Sequence, residues 1–377
     1  MIQLKSNINP LKIAIIGSRG YPYVYSGYET LIKELSERLV GRDCEVTVYC
    51  HRNLFKEKPA LVNGIKLVYI PTIETKSLSQ LIHSFLSMCH AVVSDVDVIF
   101  AVNAANGPYG LISKIFRKRT AINVDGLEWL RPKWNGLGAI YFKTAARLST
   151  ILFDQIINDS DEMRKVYLNL FKKESVVIAY GATVRKSDNP SLIQQWLITP
   201  KEYYLVVGRM IPDNNADIIV KGFLASNSTK KMVVVGDVFY KDNYADALKA
   251  LKDDRLVFTG YVNDPHVLAA LYHHCYVYVH GHEFGGTNPT MIKAMACGCA
   301  ILALNTVFNK EMLNNDLYGI YFEKNQEAVR QQINYADQYP KEIKKLRKNS
   351  HLGITDKYNW DYITDQYLDV FRRLAEK

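Results

Sequence analysis

The chain has 377 residues, of which 48% are hydrophobic and 23% charged, so it is long enough for two domains with a proper core each. Its net charge of +9 favours an anionic partner, and nucleic acid, anionic lipid and phosphorylated small molecules all fit that charge. The longest apolar stretch, residues 78–103, is interrupted by histidines and aspartates, and the N-terminus lacks the order of a signal peptide, so we exclude a membrane span and expect a cytoplasmic protein.

Short, almost continuous apolar runs alternate with helical patterns in the first half of the chain. The first run, residues 12–17, ends in glycine; residues 18–27 form a glycine-containing loop, and residues 28–40 have helical spacing. Further strands are predicted at residues 45–50, 65–70, 96–102, 120–124, 155–157 and 176–178, and helices at residues 78–92, 109–116 and 140–153. This alternation predicts an α/β domain with a doubly wound parallel sheet.

The alternation breaks at the polar segment 181–200 and then resumes. The second series of strands is predicted at residues 204–207, 232–235, 256–259, 276–280, 300–303 and 319–322. We therefore expect a first domain at 1–180, a linker at 181–200 and a second domain at 201–355. The aromatic helix Asn359–Ala375, within the C-terminal segment 356–377, needs a surface to pack on, and we expect it to pack on the first domain.

Cysteines and basic clusters give weaker signals. The six cysteines show no paired C-x-x-C spacing, so we expect neither a zinc site nor a disulfide framework. Basic residues cluster at 114–119, 131–133 and 341–348. Each cluster is either a contact for an anionic partner or a solvated face, and we favour the solvated face for the last.

Residues 280–298 carry the clearest local signal. Asn288 suits a helix N-cap, Pro289 the first helical position and Gly298 the position just past the last turn. A helix start behind two glycines offers backbone N–H groups at the positive end of a helix dipole. The stretch is therefore either an anion site or an ordinary strand-to-helix turn.

Two other strand ends carry glycines. Gly17-Ser18-Arg19-Gly20 lacks both the third glycine of a dinucleotide fingerprint and the ending of a P-loop, which disfavours a nicotinamide cofactor. Arg209 follows Gly208 at the end of the first strand of the second domain. Its guanidinium could bind a diphosphate through two parallel hydrogen bonds, or it could form an interdomain salt bridge.

Acids and histidines follow other predicted strands. Asp125 suits a general base or a sugar-hydroxyl acceptor, Trp129 suits a sugar ring, and the alternative is a loop acid that caps a helix. We interpret Ser160 and Asp161 as a helix start. Alternation along a strand separates His280 from its neighbours, so we expect a ligand contact at His280 or His282 and no metal cluster.

Taken in order, four motifs resemble the rhamnosyltransferase-like branch of the family-4 glycosyltransferases, over nearly the whole chain. They are Gly17–Pro22 with Ser26–Thr30, Asp125–Trp129 with Lys133–Trp134, Gly208–Arg209 with Pro212–Asn215, and His280–His282 with Gly285–Pro289. The resemblance implies the GT-B fold, with two Rossmann-like domains whose parallel sheets face each other across a cleft and a C-terminal helix that crosses back. It also implies transfer with retention of configuration, with no metal and no other cofactor.

The resemblance further implies the substrates and the setting. A nucleotide-sugar donor, with dTDP-rhamnose as the leading candidate, would bind the second domain, and a sugar on a polyprenyl diphosphate lipid would bind the first. The setting would be bacterial surface-polysaccharide synthesis at the cytoplasmic membrane face, with peripheral membrane contact that suits the positive charge. Nucleic acid would not be a partner.

By matching positions, the resemblance implies a role for each motif residue. The catalytic candidates are Asp125 and Arg209. The donor-binding candidates are Gly17, Gly20, Arg209, Asn214, His282, Glu283, Gly285, Gly286, Thr287, Asn288 and Lys293. The acceptor-binding candidates are Tyr28, Glu29, Asp125, Glu128 and Trp129.

The chain departs from the wider superfamily at three positions. Asn214 stands in place of a lysine, Gly285 in place of a first glutamate and Lys293 in place of a second. A carboxylate there would accept hydrogen bonds from ribose hydroxyls, which a charged lysine cannot do. Either Lys293 reaches the diphosphate, or the chain is a catalytically silent GT-B protein that binds a partner in an assembly complex; a nucleotide-sugar epimerase is a third possibility.

Overall fold

A computed structural model describes residues 9–22, 27–73, 78–131, 134, 136–184, 187, 189–238 and 241–377. Ser26 and Lys133, which belong to the motifs quoted above, lie outside this description. The described residues divide into two compact units. Of the described residues, one unit contains those up to Trp129, those within Trp134–Ala179 and those within Trp360–Lys377, and the other contains Leu130, Arg131 and those within Tyr180–Asn359.

The first unit is built on an eight-stranded sheet. Its strands, in chain order, are β1 Lys12–Ile16, β2 Glu45–His51, β3 Leu61–Val62, β4 Ile65–Ile70, β5 Val98–Val102, β6 Arg119–Val124, β7 Gln155–Asn158 and β8 Val176–Val177. The order across the sheet is β3-β4-β2-β1-β5-β6-β7-β8, and all pairs are parallel except β3 with β4. The helices between the strands are α1 Gly27–Val40, α2 Leu78–Val93, α3 Gly110–Ile115, α4 Leu137–Leu152 and α5 Asp161–Phe171.

The second unit is built on a six-stranded, wholly parallel sheet in the order β11-β10-β9-β12-β13-β14. Its strands are β9 Tyr203–Val207, β10 Lys231–Val235, β11 Leu256–Gly260, β12 Val277–His280, β13 Ala300–Leu304 and β14 Gly319–Phe322. Its helices are α6 Ala216–Leu224, α7 Asn243–Lys249, α8 Pro265–His274, α9 Pro289–Ala296, α10 Val307–Met312, α11 Gln326–Gln338, α12 Pro340–Ser350 and α13 Leu352–Lys357. The segment predicted as a linker contains a 3-10 helix, Pro190–Trp196, whose Ile193 is buried.

The last helix, α14 Trp360–Ala375, belongs to the first unit. The rings of Tyr367 and Phe371 lie 5.3 and 5.4 Å from that of Phe100 on β5, between ring centres. The Arg42 guanidinium contacts the Asp365 carboxylate at 2.7 Å, at the surface. Burial of this aromatic face is what holds α14, since exposed ion pairs contribute little to stability.

The predicted α/β class is confirmed, and all thirteen predicted strands are present. The strand that the sequence pattern missed, β3, has two residues and is antiparallel at the sheet edge, so it has neither the length nor the buried alternation of the others. In each sheet the order reverses next to the first strand, between β1 and β5 and between β9 and β12. Ligands of open α/β sheets bind at the carboxyl ends of strands at such a reversal.

Candidate functional site

The reversal in the second sheet brings together the two strand ends that carry the predicted donor residues. Strand β9 is followed by Gly208 and the exposed Arg209, and strand β12 by Gly281 and His282. A Cβ atom on Gly281 would lie 2.3 Å from the Asn214 carbonyl oxygen, so only glycine permits this approach. The two chain segments therefore pack backbone to backbone at the carboxyl edge of the sheet.

The side chain of Asn214 joins the two segments. Its amide nitrogen donates to the Arg209 carbonyl oxygen at 2.8 Å, and its amide oxygen lies 2.8 Å from His282 Nδ1. Because that oxygen can only accept, we assign the proton to Nδ1 of His282, which leaves Nε2 as an acceptor. The residue that stands in place of the superfamily lysine thus orients both the arginine loop and the histidine.

His282 is neutral in the folded protein. Burial lowers the pKa of His282 well below its usual range, and the charges of Arg131 and Arg209 lower it further. The influence of Arg209 on this ring shows that the arginine and the histidine share one electrostatic environment. A neutral imidazole beside a cationic group suits a ligand with hydroxyl donors and an anionic part.

The predicted start and end of helix α9 are confirmed. The Asn288 side chain accepts from the Thr290 N–H at 3.0 Å and from the Thr290 hydroxyl at 2.7 Å, and Pro289 is the first helical residue. Gly298 follows the helix with φ of 69°. The Asn288 N–H donates to Met312 Sδ and the Thr290 N–H donates to the Asn288 side chain, so these two backbone amides already have partners within the protein. An anion at this end of α9 would therefore be held by the helix dipole and by the turn that precedes Asn288, and not by these two amides.

The turn before α9 contains Gly285, with φ of 126°, followed by the buried Gly286 and Thr287. Such a φ strongly favours glycine, which explains why the glutamate of the superfamily pattern does not fit this backbone. The Glu283 carboxylate is paired with Lys324 at 2.5 Å, and Lys293 is exposed on α9. The superfamily pattern has glutamates at positions 285 and 293 and a lysine at position 214. In this chain the nearby carboxylate is that of Glu283, and the lysine is Lys293 on α9.

Some contacts of the site were not predicted from the sequence. The Asn309 amide donates to the carbonyl oxygens of His282 at 3.2 Å and of Leu304 at 2.9 Å, and so fixes the end of β12 against that of β13. Arg131 Nε lies 3.6 Å from the buried Asp213 carboxylate. Asp213 and its neighbours are in the quoted motif, whereas nothing in the local sequence around Asn309 indicates its role.

In the first unit, Asp125 follows β6 and accepts a hydrogen bond from the Tyr28 hydroxyl on α1. Burial and then the charge of Asp125 raise the pKa of Tyr28 well above its usual range. Glu128 accepts from the Trp134 indole N–H at 3.0 Å. The Trp129 ring lies edge-on to Tyr167, 6.5 Å between ring centres. Four of the predicted acceptor residues, Tyr28, Asp125, Glu128 and Trp129, thus lie in one region of the first unit. The Trp129 ring contacts the Tyr167 ring there.

A second acid belongs to this region. Asp159 follows β7, the strand next to β6, and is 1% exposed. Burial, and then the charges of Asp125 and Asp159, raise the pKa of the Tyr167 hydroxyl. The neighbouring Ser160 caps α5 by accepting from the Met163 N–H at 3.1 Å, which confirms its predicted helix-start role. The sequence signal for Asp159 was its place at the carboxyl end of a strand adjacent to that of Asp125.

The glycine loop after β1 lies at the reversal point of the first sheet. A Cβ atom on Gly17 would lie 2.5 Å from the Val102 carbonyl oxygen, and one on Gly20 would lie 2.7 Å from Cys50 Sγ. Glu29 is 2% exposed and accepts from the Arg19 N–H at 3.1 Å. The Glu29 carboxylate therefore contacts the loop through the Arg19 N–H. Gly17 and Gly20 lie so close to Val102 and Cys50 of the same unit that a side chain at either position would clash.

Two buried histidines lie beside this loop. The rings of His51 and His83 are stacked, 3.8 Å between centres, and the His51 N–H donates to the Arg19 carbonyl oxygen at 3.0 Å. Burial, and then His51, lower the pKa of His83 to about 3. A histidine in an unfolded chain titrates near pH ~6.5. His83 therefore contributes its full stability above that pH, and this stability is lost as the pH falls towards 3.

Replacing His83 with leucine should make the protein less sensitive to acid. Between pH 7 and pH 5 the wild type should lose about 2 kcal/mol more unfolding free energy than His83→Leu, from about 1.4 kcal/mol per pH unit below the unfolded pKa. Urea denaturation at the two pH values, followed by fluorescence, measures this. His266→Leu, at an exposed position, is the matched control and should behave as the wild type. Equal losses in His83→Leu and wild type would contradict the assignment.

Among the described residues, no group of three or more histidine, cysteine, aspartate or glutamate side chains is arranged to hold a metal ion. No described helix is both long enough and apolar enough to cross a bilayer. The rings of His280 and His282 lie 6.3 Å apart between centres, and the Tyr278 hydroxyl lies 3.0 Å from His280 Nδ1. His280 therefore packs inside the protein, and His282 is the histidine of the site.

Two family models match the chain. Residues 188–352 match glycosyl transferases group 1, and residues 11–183 match a domain of unknown function, DUF1972. A curated relative from Campylobacter jejuni, N-acetylgalactosamine-N,N'-diacetylbacillosaminyl-diphospho-undecaprenol 4-alpha-N-acetylgalactosaminyltransferase, is 23% identical over 128 residues. That match covers 33% of this chain and spans 34% of the length of the relative.

Solved structures resemble the chain over almost its full length. Sucrose-phosphate synthase from Thermosynechococcus elongatus has a TM-score of 0.82 at 16% identity, covering 97% of this chain and 99% of its own. HepE from Anabaena, in complex with UDP and glucose, has a TM-score of 0.76 at 16% identity, covering 96% and 99%. These likenesses show the GT-B fold and confirm the resemblance at that level, together with the group 1 match.

Proposed function

We propose that this protein is a retaining GT-B glycosyltransferase that transfers a sugar from a nucleotide-sugar donor to a lipid-linked saccharide. The group 1 match over residues 188–352 supports glycosyl transfer. The observation that carries the proposal is the junction at the β9–β12 reversal, where Asn214 ties the Arg209 loop to His282, and the chain continues from His282 through the glycine turn into α9. Arg209 after β9 supplies a permanent cation and α9 after β12 supplies a helix dipole, and both would stabilise a bound diphosphate.

In the proposed reaction the bond between the sugar C1 and the diphosphate breaks, and a bond from C1 to the acceptor oxygen forms. Arg209 and the positive end of α9 stabilise the growing charge on the leaving diphosphate. The proton of the acceptor hydroxyl passes to a diphosphate oxygen or to Asp125. His282, with Nε2 as an acceptor, is suited to a hydroxyl of the donor sugar.

The finer assignments rest on the motifs and on relatives. The rhamnosyltransferase-like motifs favour dTDP-rhamnose as donor, whereas the Campylobacter relative is named as an N-acetylgalactosaminyltransferase and HepE was solved with UDP and glucose. The acceptor of the relative is a diphospho-undecaprenol saccharide by its name, which favours a lipid-linked acceptor here. We propose a role in bacterial surface-polysaccharide synthesis on the same grounds.

A donor screen tests this function. The protein is incubated with dTDP-, UDP- and GDP-sugars and a lipid-linked N-acetylglucosamine or glucose analogue, and products are identified by mass spectrometry. We expect one donor to give a product larger than the acceptor by one sugar. An epimeric sugar product formed without acceptor would instead indicate an epimerase, whereas hydrolysis of the donor to the unchanged sugar would not.

Lys293 decides between an active and a silent protein. If the lysine carries part of the diphosphate charge, Lys293→Ala should weaken binding of a nucleoside diphosphate about 10- to 150-fold, since hydrogen bonds to charged groups are worth about 1.5–3 kcal/mol. Binding of the nucleoside alone should be unchanged. Isothermal titration calorimetry measures both, and Lys221→Ala, an exposed lysine of the same unit, is the control.

The alternative function is a catalytically silent GT-B protein that binds a partner in an assembly complex. The observation that favours it is Lys293, exposed on α9 where the superfamily pattern has a carboxylate for the ribose hydroxyls. Absence of binding to any of the dTDP, UDP and GDP sugars in the same titrations would support this alternative.

A further inference from the structure

Arg131 lies in the second unit, although the residues just before it in the chain belong to the first. Trp129, the last residue of the predicted acceptor motif, is part of the first unit, whereas Leu130 and Arg131 are part of the second. From the sequence, the basic cluster at 131–133 is either a contact for an anionic partner or a solvated face. The Arg131 side chain is only 14% exposed, which excludes a solvated face for this residue.

The Arg131 guanidinium lies where two chain segments of the candidate donor site meet. Its Nη2 donates to the Phe284 carbonyl oxygen at 3.5 Å, and its Nε lies 3.6 Å from the Asp213 carboxylate. The Glu283 N–H donates to the Asp213 carbonyl oxygen at 3.1 Å, so the two contacted segments are themselves joined. Arg131 therefore contacts both the loop that follows β9 and the turn that leads into α9.

The same guanidinium acts on His282. Burial is the largest cause of the lowered pKa of His282, and the positive charge of Arg131 is the next, ahead of that of Arg209. Because both arginines act on one imidazole, two permanent cations lie around the ring that is suited to a donor-sugar hydroxyl. Asn214, which stands in place of a lysine, contributes no charge of its own. Arg131 thus brings a second positive charge to a junction where the usual lysine is missing.

The pair with Asp213 does not by itself account for the burial of this arginine. Asp213 is 4% exposed, and taking a guanidinium and a carboxylate out of water is offset only by close, well-directed hydrogen bonds. The distances to Asp213 and Phe284 are longer than the ~2.7–3.2 Å of ordinary N–H···O hydrogen bonds. Neither of these two contacts prevents the guanidinium from turning towards an anion.

We propose that Arg131 binds the diphosphate of the nucleotide-sugar donor together with Arg209. The inference rests on the proposed function, because it names a further binding residue for that donor. Arginine suits this role, since its planar fork donates two parallel hydrogen bonds to phosphate oxygens. When the bond between the sugar C1 and the diphosphate breaks, the leaving group gains negative charge, which a second arginine stabilises further. In the protein without donor, Asp213 balances the charge of Arg131.

Isothermal titration calorimetry with dTDP, UDP and GDP tests the proposal. Arg131→Gln should weaken binding of the diphosphate that the wild type prefers by about 10- to 150-fold, from the usual strength of a hydrogen bond to a charged group. Arg131→Lys should recover part of this loss, because lysine keeps the charge but not the fork. Binding of the nucleoside alone should be unchanged. Arg255→Gln, which removes a guanidinium that is paired with Asp253 at 3.0 Å just before β11, is the matched control and should bind as the wild type.

A double variant separates ligand binding from the pairing with Asp213. Arg131→Gln removes the cation beside a buried carboxylate, which destabilises the fold, and Arg131→Gln/Asp213→Asn removes both charges and should restore the thermal stability. The double variant should nevertheless bind the diphosphate at least about tenfold more weakly than the wild type. Asp213→Asn alone should bind it more tightly, because this variant keeps the arginine and removes a competing negative charge.

Three results would overturn the inference while the proposed function stands, because in each the wild type still binds a nucleoside diphosphate. Wild-type affinity in Arg131→Gln would exclude the contact. Full recovery of binding in the double variant would assign Arg131 to the pair with Asp213 alone. A loss of affinity for the nucleotide sugar but not for its diphosphate would place the contact on the sugar. If the wild type binds none of the three diphosphates, the proposed function itself is contradicted, and the inference with it.

Discussion

Replacing Arg209 with alanine should lower the rate of sugar transfer by about 10²–10³ or more, because it removes the permanent cation proposed for the leaving diphosphate. The side chain is exposed at the end of β9, and the loop is held through the Arg209 backbone carbonyl by Asn214. Since the contact with Asn214 is to the backbone, it survives the substitution. Thermal unfolding of Arg209→Ala should therefore match that of the wild type.

Calorimetry with the donor should separate the two effects of Arg209. We expect Arg209→Ala to lose donor binding as well as turnover, and Arg209→Lys to recover part of both, because lysine keeps the charge but not the bidentate fork. Arg330→Ala, at an arginine on α11 of the same unit, is the matched control and should retain full activity. Turnover by Arg209→Ala at the wild-type rate would refute the role given to Arg209.

The fold was predictable because its inner strands are buried on both faces. Strand β5 has no exposed residue, and such short apolar runs between helical patterns are typical of the inner strands of a parallel sheet. The ends of α9 were predictable for a different reason, since Asn288, Pro289 and Gly298 each suit one backbone position. Local chemistry sets both features, so a single sequence is enough to find them.

The side-chain contacts within the candidate site were harder to predict from the sequence. Tyr28 and Asp125 are 97 residues apart, and only the sheet order brings α1 beside the end of β6. The Asn309 amide and the Glu283–Lys324 pair are likewise set by packing between strands. Sequence patterns place residues on strand ends, but the partner of each side chain depends on which strands become neighbours.

For Glu29, too, the sequence did not predict which group its carboxylate contacts. The resemblance implied an acceptor-binding role for Glu29, and that role stays a prediction. The structure adds that its carboxylate is 2% exposed and accepts from the Arg19 N–H. Any contribution of Glu29 to binding would therefore act through the position of the Gly17–Gly20 loop.

Replacing Asp125 with asparagine should lower the rate of transfer about 10²–10⁴-fold, the usual range for a lost general base. Asparagine has nearly the same shape and can still accept from the Tyr28 hydroxyl, so the local structure should be kept. It cannot take up the proton of an acceptor hydroxyl. We therefore expect a fall in kcat with donor affinity unchanged, the reverse of the binding loss expected for Arg209→Ala.

Steady-state kinetics at varied acceptor concentration measure kcat, and calorimetry with the donor measures its affinity. Tyr28→Phe should have a smaller effect, about tenfold, because it removes the hydrogen bond to Asp125 and leaves the carboxylate. Asp95→Asn, at an acid whose side chain is 86% exposed, is the control and should be as active as the wild type. If Asp125→Asn keeps its kcat, the acceptor proton goes to the leaving diphosphate, and Asp125 has at most a binding role. If donor affinity also falls, the effect of Asp125 reaches the second unit, and its assignment to the acceptor alone is wrong.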